Sequence, residues 1–368
     1  MELNRKSDKP LYKQIEDIII NKIKDGILKP GKALPSEREL GKELEVSRLT
    51  VRKAIQELEQ KGILYKIQGK GTFVNDRKKA GEHGNKIGVI SHLYKGVFME
   101  ILEGIEEGLE SESYEYLLRN SQNDYKKEEN IIQAMKEEGV SGFIISPVED
   151  QKDSNVIFNL KAEGYPIVLI DRKLNYCETD CVLSDNIDGG FKATEYLIKL
   201  GHSRIAFLTY EFRKTSSVRD RIKGYRYALK LNQLELDERL LFSYNKDLSR
   251  EEKNKILYNF IKENKPTAII GVHNDVALDV VKMCRANNIS IPEDISIICF
   301  DNTDIVRHLE VPLTTLVQDA RKIGYDAAKL IVKKINSQEE TGIMNQIYHP
   351  VKLIERNSCK SILQKNEK

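Results

Sequence analysis

The chain has 368 residues, 40% hydrophobic and 32% charged, which fits a globular protein of two or three domains. No stretch approaches the roughly 20 apolar residues of a membrane span, and "MELNRKSDKP" lacks the apolar core and cleavage site of a secretory signal. Its five cysteines are odd in number and scattered, which argues against a disulfide framework. A cytoplasmic protein without a membrane partner is therefore expected. The net charge of +2 is unevenly divided: residues 1–80 carry 19 Lys/Arg against 12 Asp/Glu, the remainder 40 against 45. A small basic domain on a larger, mildly acidic body points to a polyanion as partner of the first part.

Apolar residues at 11, 15, 18, 19, 23 and 27 recur at helical spacing and predict a first amphipathic helix. Ser36 is placed to cap a second helix, and Glu39, three residues on, completes a capping box. Ser47 is placed to cap a third, Arg48–Gln60, in which Val51, Ala54, Ile55 and Leu58 form the inward stripe. Arg48, Leu49, Thr50 and Arg52 are left near its N-terminal end, the end that a recognition helix pushes into the major groove. Gly62 stops the helix, and "ILYKIQGKGTFV" reads as two short strands around a turn whose glycines allow close backbone approach. These elements make a winged helix-turn-helix.

Arginine grips guanine O6 and N7 with two hydrogen bonds, and a glycine-bearing tip enters a narrow groove. The competing reading is that Arg38 and Arg52 pair with Glu37, Glu39 or Glu57 on a solvated surface. "QGKGT" is not a phosphate loop, because its glycines lie in a hairpin rather than between a strand and a helix. The segments "PLYKQI", "LPSEREL", "VSRLTVRKAI" and "GKGTFV" resemble the DNA-binding domain of the GntR family over about residues 10–74. That resemblance implies double-stranded operator DNA as partner. Arg38, Ser47, Arg48, Thr50 and Arg52 would then face bases and phosphates, and Gln68, Gly69 and Lys70 would carry the wing tip into the minor groove.

Residues 75–85 are polar and unpatterned and are taken as a linker between a DNA-binding domain at 1–74 and a body at 86–368. In the body, short apolar runs ("KIGVIS", "SGFIIS", "PIVLID", "RIAFLT", "TAIIGV", "ISIICF") alternate with amphipathic segments at 98–111, 126–138, 187–200, 249–263 and 274–287. Near-continuous apolar strands separated by helices predict a doubly wound parallel α/β body in two lobes. Ligands on such sheets bind beyond the carboxyl ends of the strands. Asp171 and Arg172, Asp185 and Asn186, Asn274 and Asp275, Asp301 and Asn302, and Gln318 all stand there. Such planar groups grip vicinal hydroxyls, and Phe98 and Tyr94 are candidates for the aromatic face that a sugar pocket needs beside them.

"PIVLIDR", "RIKGYRYAL", "PTAIIGVHND" and "IPEDISIICFDN" resemble the effector domain of the LacI family, akin to periplasmic sugar-binding proteins, over roughly residues 86–356. The resemblance implies a sugar effector held by Asp171, Arg172, Arg221, Asn274, Asp301 and Gln318, with Phe98 beside it. The loop "SHLYKGVF" is a residue shorter than the family pattern. The hinge helix that LacI-type repressors place in the minor groove is missing, which leaves that role to the wing. A GntR-type head on a LacI-type body resembles the arabinose-repressor group of Gram-positive bacteria. It implies a homodimeric repressor with L-arabinose as first choice of effector; a different sugar or a nucleoside is the alternative.

No cofactor, metal site or catalytic residue is expected. Ser184, Asn186, Asp188, Gly189 and Glu195 approach calcium-loop spacing but lack the first carboxylate; Gly189 and Gly190 are expected instead to open a helix packed tightly on the sheet. Cys177 and Cys181, with no histidine nearby, read as ordinary thiols. H-E-x-x-H and G-x-S-x-G are both missing. A sugar-processing enzyme fused to a DNA-binding head is the remaining enzymatic reading, and strand-end carboxylates are its only support.

Overall fold

The computed structural model describes residues 9–29, 31–60, 63–67, 71–74, 85–92, 96–148, 156–174, 177–210, 215–337 and 344–363. Gln68, Gly69, Lys70, Gly62, Tyr94 and linker residues 75–84 lie outside the described residues.

The head folds as α1 (Leu11–Lys24), α2 (Glu37–Glu43), α3 (Arg48–Gln60) and the antiparallel hairpin β1 (Leu64–Ile67) and β2 (Gly71–Val74). The capping box forms: Glu39 N donates to Ser36 Oγ at 3.3 Å and Ser36 N to Glu39 Oε2 at 2.8 Å. Ile15 and Ile19 of α1, Leu40 of α2 and the stripe Val51, Ala54, Ile55 and Leu58 of α3 close one core with Leu64 and Val74 of the hairpin. Ile27 departs from the expected stripe. The helix ends at Lys24, before Gly26 in a left-handed turn (φ 72°), so Ile27 falls outside it and stands 68% exposed.

The body runs β3 (Lys86–Ser91), α4 (Val97–Leu109), β4 (Glu115–Asn120), α5 (Tyr125–Glu137), β5 (Gly142–Ile145), α6 (Val156–Ala162), β6 (Ile167–Ile170), β7 (Asp180–Ser184) and α7 (Asn186–Lys199). It continues through β8 (Ile205–Thr209), α8 (Ser216–Leu231), β9 (Leu241–Ser243), α9 (Arg250–Asn264), β10 (Ala268–Gly271), α10 (Asn274–Ala286), β11 (Ser296–Phe300) and α11 (Asp304–Arg307). It finishes with β12 (Thr314–Val317), α12 (Ala320–Asn336), β13 (Gln346–His349) and β14 (Lys352–Ile354).

Two six-stranded sheets form, ordered β13-β7-β6-β5-β3-β4 and β14-β12-β11-β10-β8-β9. All pairings are parallel except β14, which runs antiparallel to β12 on an edge. Every residue of β5, β6 and β10 is buried, as strands covered on both faces require. Each sheet with its helices is one lobe. The chain moves to the second lobe after β7 and returns with α12, which packs on α4 and the first sheet. It then adds β13 to the first sheet and β14 to the second.

One close helix pair braces each lobe. A Cβ on Gly190 of α7 would lie 2.0 Å from the Arg221 carbonyl of α8, and one on Gly224 2.0 Å from the Ile187 carbonyl. Gly104 of α4 and Gly324 of α12 meet in the same way. Gly190 thus serves a helix contact rather than the expected sheet contact, whereas its neighbour Gly189 does face the sheet, at Phe300. No helix among the described residues is long and apolar enough to cross a membrane.

Candidate functional site

On the head, α3 begins where Ser47 Oγ accepts from Thr50 N at 3.1 Å and lies 2.8 Å from Thr50 Oγ1. Arg48 Nε donates to Glu37 Oε2 at 2.8 Å, and Arg52 Nη2 donates to the same oxygen at 2.9 Å. The Arg52 hydrogen bonds, followed by those from Arg48, hold the Glu37 carboxyl down to about 2 against its partial burial. The surface pairing weighed for Arg52 is therefore present, and it includes Arg48. Both guanidiniums stay open to solvent on the outer face, and Arg38 stands exposed on α2 beside Glu37.

In the body, the strand-end residues converge from both sheets. Asp171 follows β6 and Asp301 follows β11, and both take left-handed backbone conformations, φ 62° and 73°. Such a φ strains a residue with a side chain by roughly 1–3 kcal/mol and collects at functional sites. Gln318, just past β12, spans the lobes: its Nε2 donates to Asp301 Oδ1 at 2.7 Å and its Oε1 accepts from Ser184 Oγ of β7 at 2.6 Å. Arg221 of α8 is only 5% exposed. Its Nε donates to Asn186 Oδ1 at 2.7 Å, its Nη1 to the Val272 carbonyl at 2.6 Å, and its guanidinium lies 4.0 Å from the centre of the Phe300 ring. Burial pulls the Arg221 pKa down, while Asp301 and Asp171 oppose that shift.

The first-lobe wall is a relay of four side chains. Arg172 Nη2 donates to His92 Nε2 at 2.9 Å, and His92 Nδ1 lies 2.9 Å from Ser146 Oγ. Arginine only donates, so His92 Nε2 must accept and Nδ1 carries the proton toward Ser146. Ser146 Oγ in turn lies 3.5 Å from Asp171 Oδ2. Burial, then the Arg172 charge, pushes His92 down to about 4, so the imidazole is neutral. Behind this wall, Glu128 of α5 accepts from Val148 N at 2.9 Å, and burial pushes its carboxyl up to about 7. One donor of the wall is unsatisfied: Arg172 Nε is buried with no hydrogen-bond partner among the described residues, although the Asp171 carboxylate is 3.4 Å away.

Comparison with known proteins gives this geometry a context. A model of the GntR family of bacterial regulatory proteins matches residues 11–74, and one of periplasmic-binding-protein-like domains matches residues 194–359. The arabinose metabolism transcriptional repressor of Geobacillus stearothermophilus is 33% identical over 363 residues, covering 96% of this chain and 98% of that protein. This chain belongs to the family of GntR-headed transcriptional repressors with a periplasmic-binding-protein-like body. The arabinose metabolism transcriptional repressor of Halalkalibacterium halodurans is 29% identical over 367 residues, 94% of this repressor and 96% of the relative. A crystallised LacI-family regulator from Enterococcus faecium, solved with bound ribose, superposes with a TM-score of 0.63 at 27% identity. It covers 75% of this repressor and 99% of that chain.

Of the predicted residues of the repressor, Asp171 and Arg172 belong to the first-lobe relay, Asp301 bonds Gln318, which reaches Ser184 of the other lobe, and Arg221 of α8 is held by Asn186 and the Val272 carbonyl. Asn274 opens α10 at the second-lobe rim, its Nδ2 3.3 Å from Thr303 Oγ1. Phe98 is buried in the first-lobe core with Val89, Ile101 and Ile105. Three strand-end residues turn to structural work. Asp185 caps α7 through Asp188 N, Asn186 holds Arg221, and Asn302 accepts from Arg356 and Thr315.

His92, Ser146 and Phe300 join the predicted residues at this site. His92 and Ser146 follow β3 and β5 directly, so the strand-end rule already marked them. Phe300 is the last residue of β11 and is fully buried, its ring centre 4.0 Å from the Arg221 guanidinium.

Proposed function

We propose that this repressor releases its operator on binding a neutral sugar between the lobes, with L-arabinose as first choice. The observation that carries this reading is the balanced, two-lobed polar cleft: Asp171 with Arg172 on one wall, Asp301 with Arg221 on the other, and Gln318 across them. Two carboxylates and two guanidiniums leave no net charge for a phosphate or an acid, and their paired donors and acceptors match vicinal hydroxyls. The arabinose regulators among its relatives and the ribose held by a regulator of similar fold support the same class of ligand.

In this reading residues 1–74 bind DNA through Arg38, Ser47, Arg48, Thr50, Arg52, Gln68, Gly69 and Lys70, residues 75–85 link, and residues 86–368 bind sugar and dimerise. Asp171, Arg172, Arg221, Asn274, Asp301 and Gln318 hold the effector, whereas Phe98, expected beside the sugar, is packed in the first-lobe core. The protein is a cytoplasmic homodimer and not an enzyme; what supports the last point is that the relatives along its whole length are regulators.

Calorimetric titration of the full-length protein with L-arabinose, D-ribose and D-ribose 5-phosphate tests the effector. Saturable heat with L-arabinose, lost in Asp301→Asn and in Arg172→Ala, is expected. Binding of the phosphorylated sugar alone would overturn the neutral-ligand reading, and binding of ribose alone would replace the first choice of sugar.

A further inference from the structure

We propose that Leu49 reads a thymine methyl group in the major groove, making it a specificity-determining residue of the DNA-binding head. The inference rests on the DNA-binding reading of α3 and deepens it. Leu49 is 72% exposed, whereas the other apolar residues of α3 (Val51, Ala54, Ile55 and Leu58) are all buried in the head core. It stands in the first turn of the helix, between Arg48 and the Thr50 that meets the Ser47 cap.

Positions three, four and seven residues along a helix share a face, so Leu49 heads a stripe continued by Arg52, Lys53 and Gln56. That stripe is otherwise charged or amide. Single exposed leucines are common on protein surfaces and by themselves mean little. This one is framed by side chains of one chemistry: Arg48 and Arg52 lie on either side of it in sequence, both tied to Glu37 and both outward. Positive charge on that face complements DNA phosphates, so the leucine is carried to the groove with them. The apolar group that a base pair presents in the major groove is the C5 methyl of thymine. Burying one methyl-sized group is worth roughly fourfold in affinity.

The test uses the full-length protein and a duplex selected by it from random-sequence DNA. Each thymine of one half-site is replaced in turn by deoxyuridine, which removes the methyl and keeps the base pairing. For the wild type, one such position is expected to lower affinity about fourfold. Leu49→Ala, an exposed change in a helix whose core is untouched, is expected to bind the parent duplex about fourfold more weakly and to be indifferent to that uracil. Absence of any sensitive thymine overturns the proposal. So does a Leu49→Ala variant as sensitive to uracil as the wild type, since the leucine then packs on the sugar-phosphate backbone. Failure of the protein to select any sequence overturns the DNA-binding reading itself and the assignment with it.

Discussion

Glu37 is where the ion pairing of Arg48 and Arg52 meets the DNA contact proposed for them. It engages Arg48 and Arg52 together, and both guanidiniums are exposed enough that solvent screening leaves the pairs little stabilising effect. Such pairs orient the guanidiniums without holding them from a phosphate or a guanine. Arg52→Ala is expected to weaken operator binding by about 1–3 kcal/mol, read as fluorescence anisotropy on labelled duplex, with sugar affinity unchanged. The His92 relay makes a pH-dependent contribution of definite sign. An unfolded histidine titrates near 6.5, whereas His92 in the folded protein is pushed down to about 4. The unfolded chain therefore takes the proton first, so this contribution is fully present above 6.5 and is lost as pH falls toward 4. His92→Asn is expected to flatten the melting-temperature profile over that window; an unchanged slope would contradict the neutral assignment. Glu128 acts in the opposite sense: its carboxyl is raised to about 7, so its contribution is present below 4.5 and lost as pH rises. At this scale the sequence revealed which residues stand at strand ends but not where they point. Asp301 and Asn302 are neighbours, yet one meets Gln318 and the other Arg356.

At the scale of elements, local signals were strong where one chemistry decides the outcome. Ser36 with Glu39, and Ser47 with Thr50, mark helix starts through side-chain hydrogen bonds that short-range spacing alone permits. The continuous apolar runs gave the buried strands for the same reason. The edge strands β9, β13 and β14 were illegible, because they are three or four residues long and half exposed, without an apolar run. The glycine pairs that brace each lobe were also hidden, since a glycine in a helix reads as a weak point until its partner helix is known. Gly190→Ala is expected to destabilise the second lobe by at least the ~1–3 kcal/mol typical of overpacking, because its Cβ would meet a backbone carbonyl rather than a movable side chain. Urea unfolding measures this; a variant of unchanged midpoint would show that α7 and α8 part without penalty.

At the scale of the whole molecule, the chain's repeated passage between the lobes places the cleft between them, at the carboxyl ends of both parallel sheets. Gln318 already spans it, from Ser184 on one side to Asp301 on the other, so the ligand proposed there would change how the lobes are held. The overall plan, head and two-lobed body, was legible from motif order, whereas the balance of charge across the cleft emerged only once four distant segments met. The central claim is that sugar in this cleft and DNA on the head oppose each other. Anisotropy of labelled operator, bound by the full-length repressor and titrated with L-arabinose at physiological salt, tests it most directly. Operator affinity is expected to fall roughly 5–150-fold, the span of an ordinary coupling free energy, and Arg172→Ala is expected to bind operator and ignore the sugar. Saturable sugar binding that leaves operator affinity where it was would contradict the account.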